Sequence, residues 1–354
     1  MNMGLSSVQL EQALSLLAIN TSGDRAAFER LAANFQEINN WQKSGYEKSW
    51  SNVLQKFHDV RQRLNDISDI LDVMDAPPST NGLTNTTLVS STQPLRIERA
   101  GFNPRPDHLV VVRSGSYVQL ARAKTREKIL VDALSSIVTP STEAVVELGC
   151  GWGRNLAALA TTLDRQDLVF IGAEQSEAGR NCTRALMETS GKFQNVAVEF
   201  DFYEPDLSFL KPYNDVTIFT CAAIEQIAFL PPDFIETLFK SANNVSLVFL
   251  EPFAWQADES LARTIHSKCI LNVRDQSSFT SILKDYEFRL FDKYLNQNAA
   301  VWALSCCYNM NLYSLLKSAE KSRTATIDKL VFNVVGNNLF NPYSLAILTP
   351  CTEG

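Results

Sequence analysis

Clustered histidines, CxxC cysteine pairs, long apolar runs and a basic surplus are all missing from this chain of 354 residues. The three histidines, His58, His108 and His266, stand far apart, which argues against a histidine-built metal site, so no metal is expected. Seven scattered cysteines with no CxxC pair indicate neither a disulfide framework nor a cysteine-rich zinc site, and reduced thiols in the cytoplasm are the expectation. No stretch approaches the roughly 20 apolar residues of a membrane span. The opening "MNMGLSSVQLEQALSLLAIN" lacks the basic start and continuous apolar run of a signal peptide, so no membrane partner is expected. A net charge of -7 is the wrong sign for a protein whose main partner is a phosphate backbone, and no nucleic acid is expected.

What is present is 45% hydrophobic content, enough to bury a substantial core. Residues 1–76 are rich in helix formers and predict a helical region. From Trp50 the apolar positions run Val53, Phe57, Val60, Leu64, Ile67, Leu71, Met74, alternating steps of three and four that predict one seam along a long helix. The seam packs within the monomer or makes a homodimer through the N-terminal helices. Residues 77–94, "PPSTNGLTNTTLVSSTQP", have the composition of a linker. Over 95–354, "AVVEL" (144–148), "LVFIGAE" (168–174), "VAVEF" (196–200), "VTIFTC" (216–221) and "VSLVFLE" (245–251) alternate with stretches suited to helices. That alternation predicts an α/β domain with a mostly parallel sheet covered on both faces.

The first of these strands runs into "ELGCGWGRN", with glycines at 149, 151 and 153. Glycine after the first strand of an open α/β sheet lets backbone approach a ligand. A dinucleotide fingerprint counted from Gly149 and Gly151 would place its last glycine at 154, where Arg154 stands, and no lysine follows to make a P-loop. The spacing instead is G-x-G-x-G with Glu147 two residues ahead. Here the chain resembles the class I S-adenosylmethionine-dependent methyltransferases. Glu174 closes the second strand about 25 residues beyond the glycines, where a carboxylate can accept both ribose hydroxyls. Asp201 ends the third strand, at the position that in this family contacts the adenine amino group.

The resemblance implies a Rossmann-like class I methyltransferase fold, a mostly parallel seven-stranded sheet with helices on both faces, beside the N-terminal helices. It implies the cofactor S-adenosyl-L-methionine, held by Glu147, Gly149, Cys150, Gly151, Gly153, Asn155, Glu174, Gln175, Asp201, Phe202 and Ala222, with Tyr117 or Arg113 on the methionine carboxylate. "SSFTSILKDYEFRLFDKYL" and "NPYSLAILTP" would carry the sixth and seventh strands, with a helical insertion near 296–338 between them. Trp152 either covers the cofactor or packs on the helix.

Methyl transfer from a sulfonium disperses charge, so positioning and a dry pocket matter most, and a hydroxyl or protonated amine acceptor adds a use for a base. Glu225, with Gln226 beside it in "CAAIEQI", and Glu251 in "LEPF" follow the fourth and fifth strands at the sheet's ligand edge, and either carboxylate is a candidate base or is placed for structural reasons. His108 joins them as a third catalytic candidate. "NPYS" at 341–344 has one proline where the N-P-P-Y motif of nucleobase and glutamine amino-methyltransferases has two, and it falls in the presumed last strand, which disfavours that subclass. The expected reaction is methylation of a hydroxyl or amine on a small molecule, a sugar or natural product. A peptide or protein acceptor docked on the N-terminal helices is the alternative enzyme reading, and a catalytically silent cofactor-binding interaction protein is the third.

Overall fold

The computed structural model describes residues 44–75, 95–96, 109–113, 116–121, 124–258, 260–261, 287–288, 295–305, 308–336 and 341–351. His108, the proposed 77–94 linker and residues 1–43 lie outside the described residues, apart from the linker's surroundings at Asp75 and Leu95.

Two helices come first, α1 over 44–61 and α2 (Ile67–Asp75). The single long helix expected here is broken, because Asp66 caps α2: its carboxylate accepts from the backbone N–H groups of Ser68 at 2.8 Å and Asp69 at 3.3 Å. The apolar stripe nevertheless continues across the break. Phe57, Val60, Ile67, Ile70 and Leu71 are buried in one cluster with Leu156, Leu159 and Phe170, so this part of the seam is covered within the chain. Two short strands, β1 (Leu95–Arg96) and β9 (Glu287–Phe288), form a separate antiparallel pair.

The main sheet contains β2 (Leu109–Arg113), β3 (Ser116–Ala121), β4 (Ala144–Leu148), β5 (Val169–Ala173), β6 (Gln194–Val198), β7 (Asp215–Cys221), β8 (Asn244–Glu251), β10 (Ala325–Gly336) and β11 (Pro342–Pro350). Their order is β3-β2-β10-β11-β8-β7-β4-β5-β6. Counted along the chain, β4 to β8 lie 3-2-1-4-5, all parallel, with β11 antiparallel between β8 and β10. This is the doubly wound, Rossmann-like arrangement with its switch point beside the first strand. A seven-stranded sheet of the expected order is there, with one strand supplied by another segment than expected, and it is extended at one edge by the β2–β3 hairpin.

Alternation along β4 feeds both faces: Val145 joins the cluster under α4 (Arg154–Leu163), while Ala144, Val146 and Leu148 join the cluster under α6 (Phe234–Phe239). The helices α3 (Lys124–Ser135) and α5 (Glu177–Met187) complete the first layer, and α8 (Leu312–Lys321) the second.

Two expectations about the last third need correction. The sixth strand is β10, over Ala325–Gly336, and not the segment ending near 295, of which Glu287–Phe288 pairs outside the main sheet while most of the rest lies outside the described residues. The insertion near 296–338 is therefore helical only as far as α7 (Leu295–Ser305) and α8. The β-branched residues of "ATIDKLVFNVVG" explain the strand, and the two register shifts opposite β11 explain why its alternation is hard to read. Among the described residues no helix is long and apolar enough to cross a membrane.

Candidate functional site

Beyond the carboxyl end of β4 the chain makes three left-handed residues in alternation, Gly149, Gly151 and Gly153, with φ of +73°, +56° and +80°. Backbone bonds from the N–H groups of Gly149 (2.7 Å) and Cys150 (3.2 Å) to the carbonyl of Ala173 pin the turn to the end of β5. At the same end, Glu174 turns its buried carboxylate back across the turn: Oε2 accepts from Gly151 N at 3.0 Å and Oε1 from Ser176 N at 2.9 Å. Burial raises this carboxyl's pKa, and the Ser176 and Gly151 N–H groups oppose the rise.

These elements border a cavity of about 130 Å³. It lies at the switch point, outside the carboxyl ends of β4 to β7. Its floor is Gly149, Gly151 and Ala222, the last held at φ +56° at the exit of β7, a conformation costly for a residue with a Cβ. Glu174 and Gln175 form one wall and Phe200, Asp201, Phe202 and Tyr203 another. Asp201 accepts from Gln175 Nε2 and from Tyr203 N, both at 2.9 Å, which fixes its carboxylate against the neighbouring wall. Ala223, Gln226 and Ile227 close the β7 side, and Tyr46 and Trp50 of α1 reach in from above.

Seven of the residues expected at a cofactor thus share one cavity: Gly149, Gly151, Glu174, Gln175, Asp201, Phe202 and Ala222. Four others from the same motif support the turn from behind. Glu147 is buried in β4, where Oε1 accepts from Asn155 Nδ2 at 2.8 Å and holds the first turn of α4. Burial pushes its carboxyl up to about 8, against the pull of Asn155, the Leu156 N–H and the Arg126 and Arg154 charges. Cys150 faces Thr183, Sγ to Oγ1 at 3.4 Å, and Gly153 abuts the same threonine. Trp152 packs on the core cluster, and the indole in the cavity is Trp50 instead.

Tyr117 and Arg113 are placed away from this site. They belong to the β2–β3 hairpin, and β3 is six strand positions from β4, roughly 29 Å at the usual interstrand spacing. The alternating "SYVQLA" forms a strand at the far edge of the sheet.

Neither candidate base lines the cavity. Glu251 receives three backbone N–H groups, from Ala223 at 3.0 Å, Ile224 at 3.1 Å and Glu225 at 3.2 Å, so it shapes the turn after β7. Burial pushes it up to about 7. Glu225 is buried between Gln226 Nε2 at 3.0 Å and Asn341 Nδ2 at 2.7 Å, and burial together with Glu251 pushes it up to about 8. The "NPYS" asparagine therefore does reach the exit of the fourth strand of the parallel set, as a support for Glu225. Sequence reasoning misses Tyr46, Trp50, Phe200, Tyr203, Ala223 and Ile227, whereas Gln226, singled out beside Glu225, does line the cavity. Trp50 was read as the first member of a core stripe, and Tyr46, one turn earlier, carries no motif.

No family model matches the chain, and no curated protein matches it in sequence. Among solved structures, the plantazolicin methyltransferase BpumL in complex with SAH is 14% identical, with 64% of this chain and 82% of that one covered and a TM-score of 0.36. Magnesium protoporphyrin IX methyltransferase from Synechocystis PCC 6803 with bound SAH is 12% identical, covering 64% and 83%, with a TM-score of 0.39. A SAM-dependent methyltransferase from Aquifex aeolicus is 13% identical, covering 64% and 89%, with a TM-score of 0.35. The fold assignment rests on the strand order.

Proposed function

We propose that the chain is an S-adenosylmethionine-dependent methyltransferase acting on a hydroxyl or amine of a small molecule. The observation that carries this reading is that Glu174 and the Gly149–Gly151 backbone border the same cavity at the switch point of the sheet. The fit to the cofactor can be judged from the residues themselves. A Cβ on Gly149 would come within 2.5 Å of Ala223 Cβ, and one on Gly151 within 2.9 Å of Trp50, so only glycine fits at these two positions, and both border the cavity.

Glu174 spends one lone pair of each oxygen on a backbone N–H and keeps the others for a pair of ligand hydroxyls. Phe200, Phe202 and Ile227 offer apolar walls to a flat base, beside Asp201 as an acceptor for an amino group. When bound, the cofactor supplies an electrophilic methyl. This chain's part is to orient the partners and exclude water, since among the described residues the only carboxylates lining the cavity are Glu174 and Asp201, both given to the cofactor.

The test is calorimetry with S-adenosylhomocysteine on the wild type and on Glu174→Gln, with circular dichroism to verify folding. Loss of a charged acceptor predicts affinity weakened about tenfold or more. Absence of binding to the folded wild type at millimolar ligand would refute the cofactor assignment. Screening metabolite extracts for a mass gain of one methyl then identifies the acceptor.

A further inference from the structure

Two aromatic rings enter the cavity from α1, outside the sheet that builds the rest of it. Tyr46 and Trp50 are stacked, with centroids 6.1 Å apart and planes inclined at 18°. The helix that carries them is held down at several points. Glu47, between them, accepts from Ala178 N at the start of α5 at 3.1 Å, and Cys182 Sγ lies 3.4 Å from the Trp50 carbonyl. Phe57 and Val60 anchor the next two turns in the core. The six-membered ring of Trp50 rests on the middle glycine, within 2.9 Å of where a Cβ of Gly151 would sit.

Charge in the cavity is all of one sign. Glu174 and Asp201 line it, and among the described residues no lysine, arginine or histidine does. Burial holds the Tyr46 hydroxyl in its neutral form, and the nearby Glu225 and Glu174 carboxyls act in the same direction. Aromatic faces carry negative quadrupole potential and attract cations, most strongly where water is excluded. Stacked rings and carboxylates that line the same cavity therefore favour a positive ligand over a neutral one of the same shape.

We propose that the Tyr46–Trp50 roof reads ligand charge: it holds the sulfonium form of the cofactor in preference to the neutral thioether that remains when the methyl leaves and sulfur keeps the bonding pair. This rests on the cofactor reading above. Its consequence is that transfer itself weakens the grip on the product, which favours release. Trp50 and Tyr46 are thereby specificity-determining residues contributed by the N-terminal helices.

The experiment is a pair of calorimetric dissociation constants, for S-adenosylmethionine and for S-adenosylhomocysteine, on wild type, Trp50→Leu and Trp50→Phe. The wild type is expected to bind the sulfonium about tenfold more tightly than the thioether. In Trp50→Leu that ratio falls towards one, chiefly through weaker sulfonium binding. Trp50→Phe keeps an aromatic face and most of the packing, so its ratio falls between the two and serves if the leucine variant does not fold. A wild-type ratio at or below one, or a ratio unchanged in both variants while both ligands still bind, overturns the inference and leaves the cofactor reading standing. Failure of the folded wild type to bind either ligand overturns both.

Discussion

Gly153→Ala tests whether the glycine turn is shaped by packing as well as by backbone conformation. Gly153 stands at φ +80°, and an added Cβ would lie 2.8 Å from Thr183 Cγ2 and 2.9 Å from both Thr183 Cα and Oγ1. Thr183 is buried in the middle of α5, so the obstructing atoms include helix backbone that cannot swing aside. The left-handed conformation costs a residue with a Cβ about 1–2 kcal/mol, and forcing α4 away from α5 adds about 1–3 kcal/mol of overpacking. The variant should therefore lose about 2–5 kcal/mol, a large share of the 5–15 kcal/mol that typically holds a domain together. Gly191 supplies the control: it has φ +60° with nothing within 4 Å of its Cβ position, so Gly191→Ala isolates the backbone cost. Urea unfolding of both variants, compared at equal m-value, measures the difference. Equal destabilisation by the two substitutions would refute the packing argument.

Glu147→Gln and Arg154→Met probe the supports behind the turn. Burial raises the Glu147 carboxyl to about 8 from its ordinary 4.5. Its contribution to stability is thus full below pH 4.5 and is lost as pH rises through about 8. Glutamine mimics the protonated form, so the variant's fall in stability between pH 5 and 7.5 should be shallower by about 1 kcal/mol per pH unit. Superimposable stability–pH profiles would sink the prediction. Arg154 binds Asp75 through Nε at 2.8 Å and Nη2 at 2.5 Å, and Glu127 through Nη2 at 2.7 Å, with its side chain largely buried. Methionine leaves two carboxylates without their cation, and a loss of about 3 kcal/mol in urea unfolding is expected. Under 1 kcal/mol would mean that the pair is solvated and the link unimportant.

The parts of this molecule that were legible in the sequence are those whose signal is local. A buried parallel strand is a short β-rich run, which is why "AVVEL" coincides with β4 and the next four strands lie within two residues of their expected bounds. The site residues that were found follow such strands directly. β10 escaped because Asp328, Lys329 and Asn333 interrupt its apolar residues and two register shifts disturb their alternation. Glu225 and Glu251 look alike in sequence as carboxylates at strand exits. Their partners decide what they do, and those partners are backbone N–H groups and Asn341, over a hundred residues away from Glu225 in the chain. Periodicity identified the α1–α2 seam as buried, but a period says which face is covered and not what covers it.

Arg154 explains how the N-terminal helices come to share the site. A dinucleotide fold places glycine at this point so that the helix can approach the sheet closely. Here the side chain is large and charged, and it leaves the turn on the side facing α2 and α3, where Asp75 and Glu127 receive it. Three residues earlier, Gly151 has no side chain, and Trp50 of α1 fills the space. One short turn thus grips the α1–α2 pair twice, by an ion pair at the end of α2 and by an indole on bare backbone near the start of α1. The capped break at Asp66 lets both contacts be made at once, because a straight helix through 44–75 could not bend back to the same turn. A ligand in the cavity touches the second grip directly, so its affinity and the docking of α1 must be linked: whatever loosens one weakens the other.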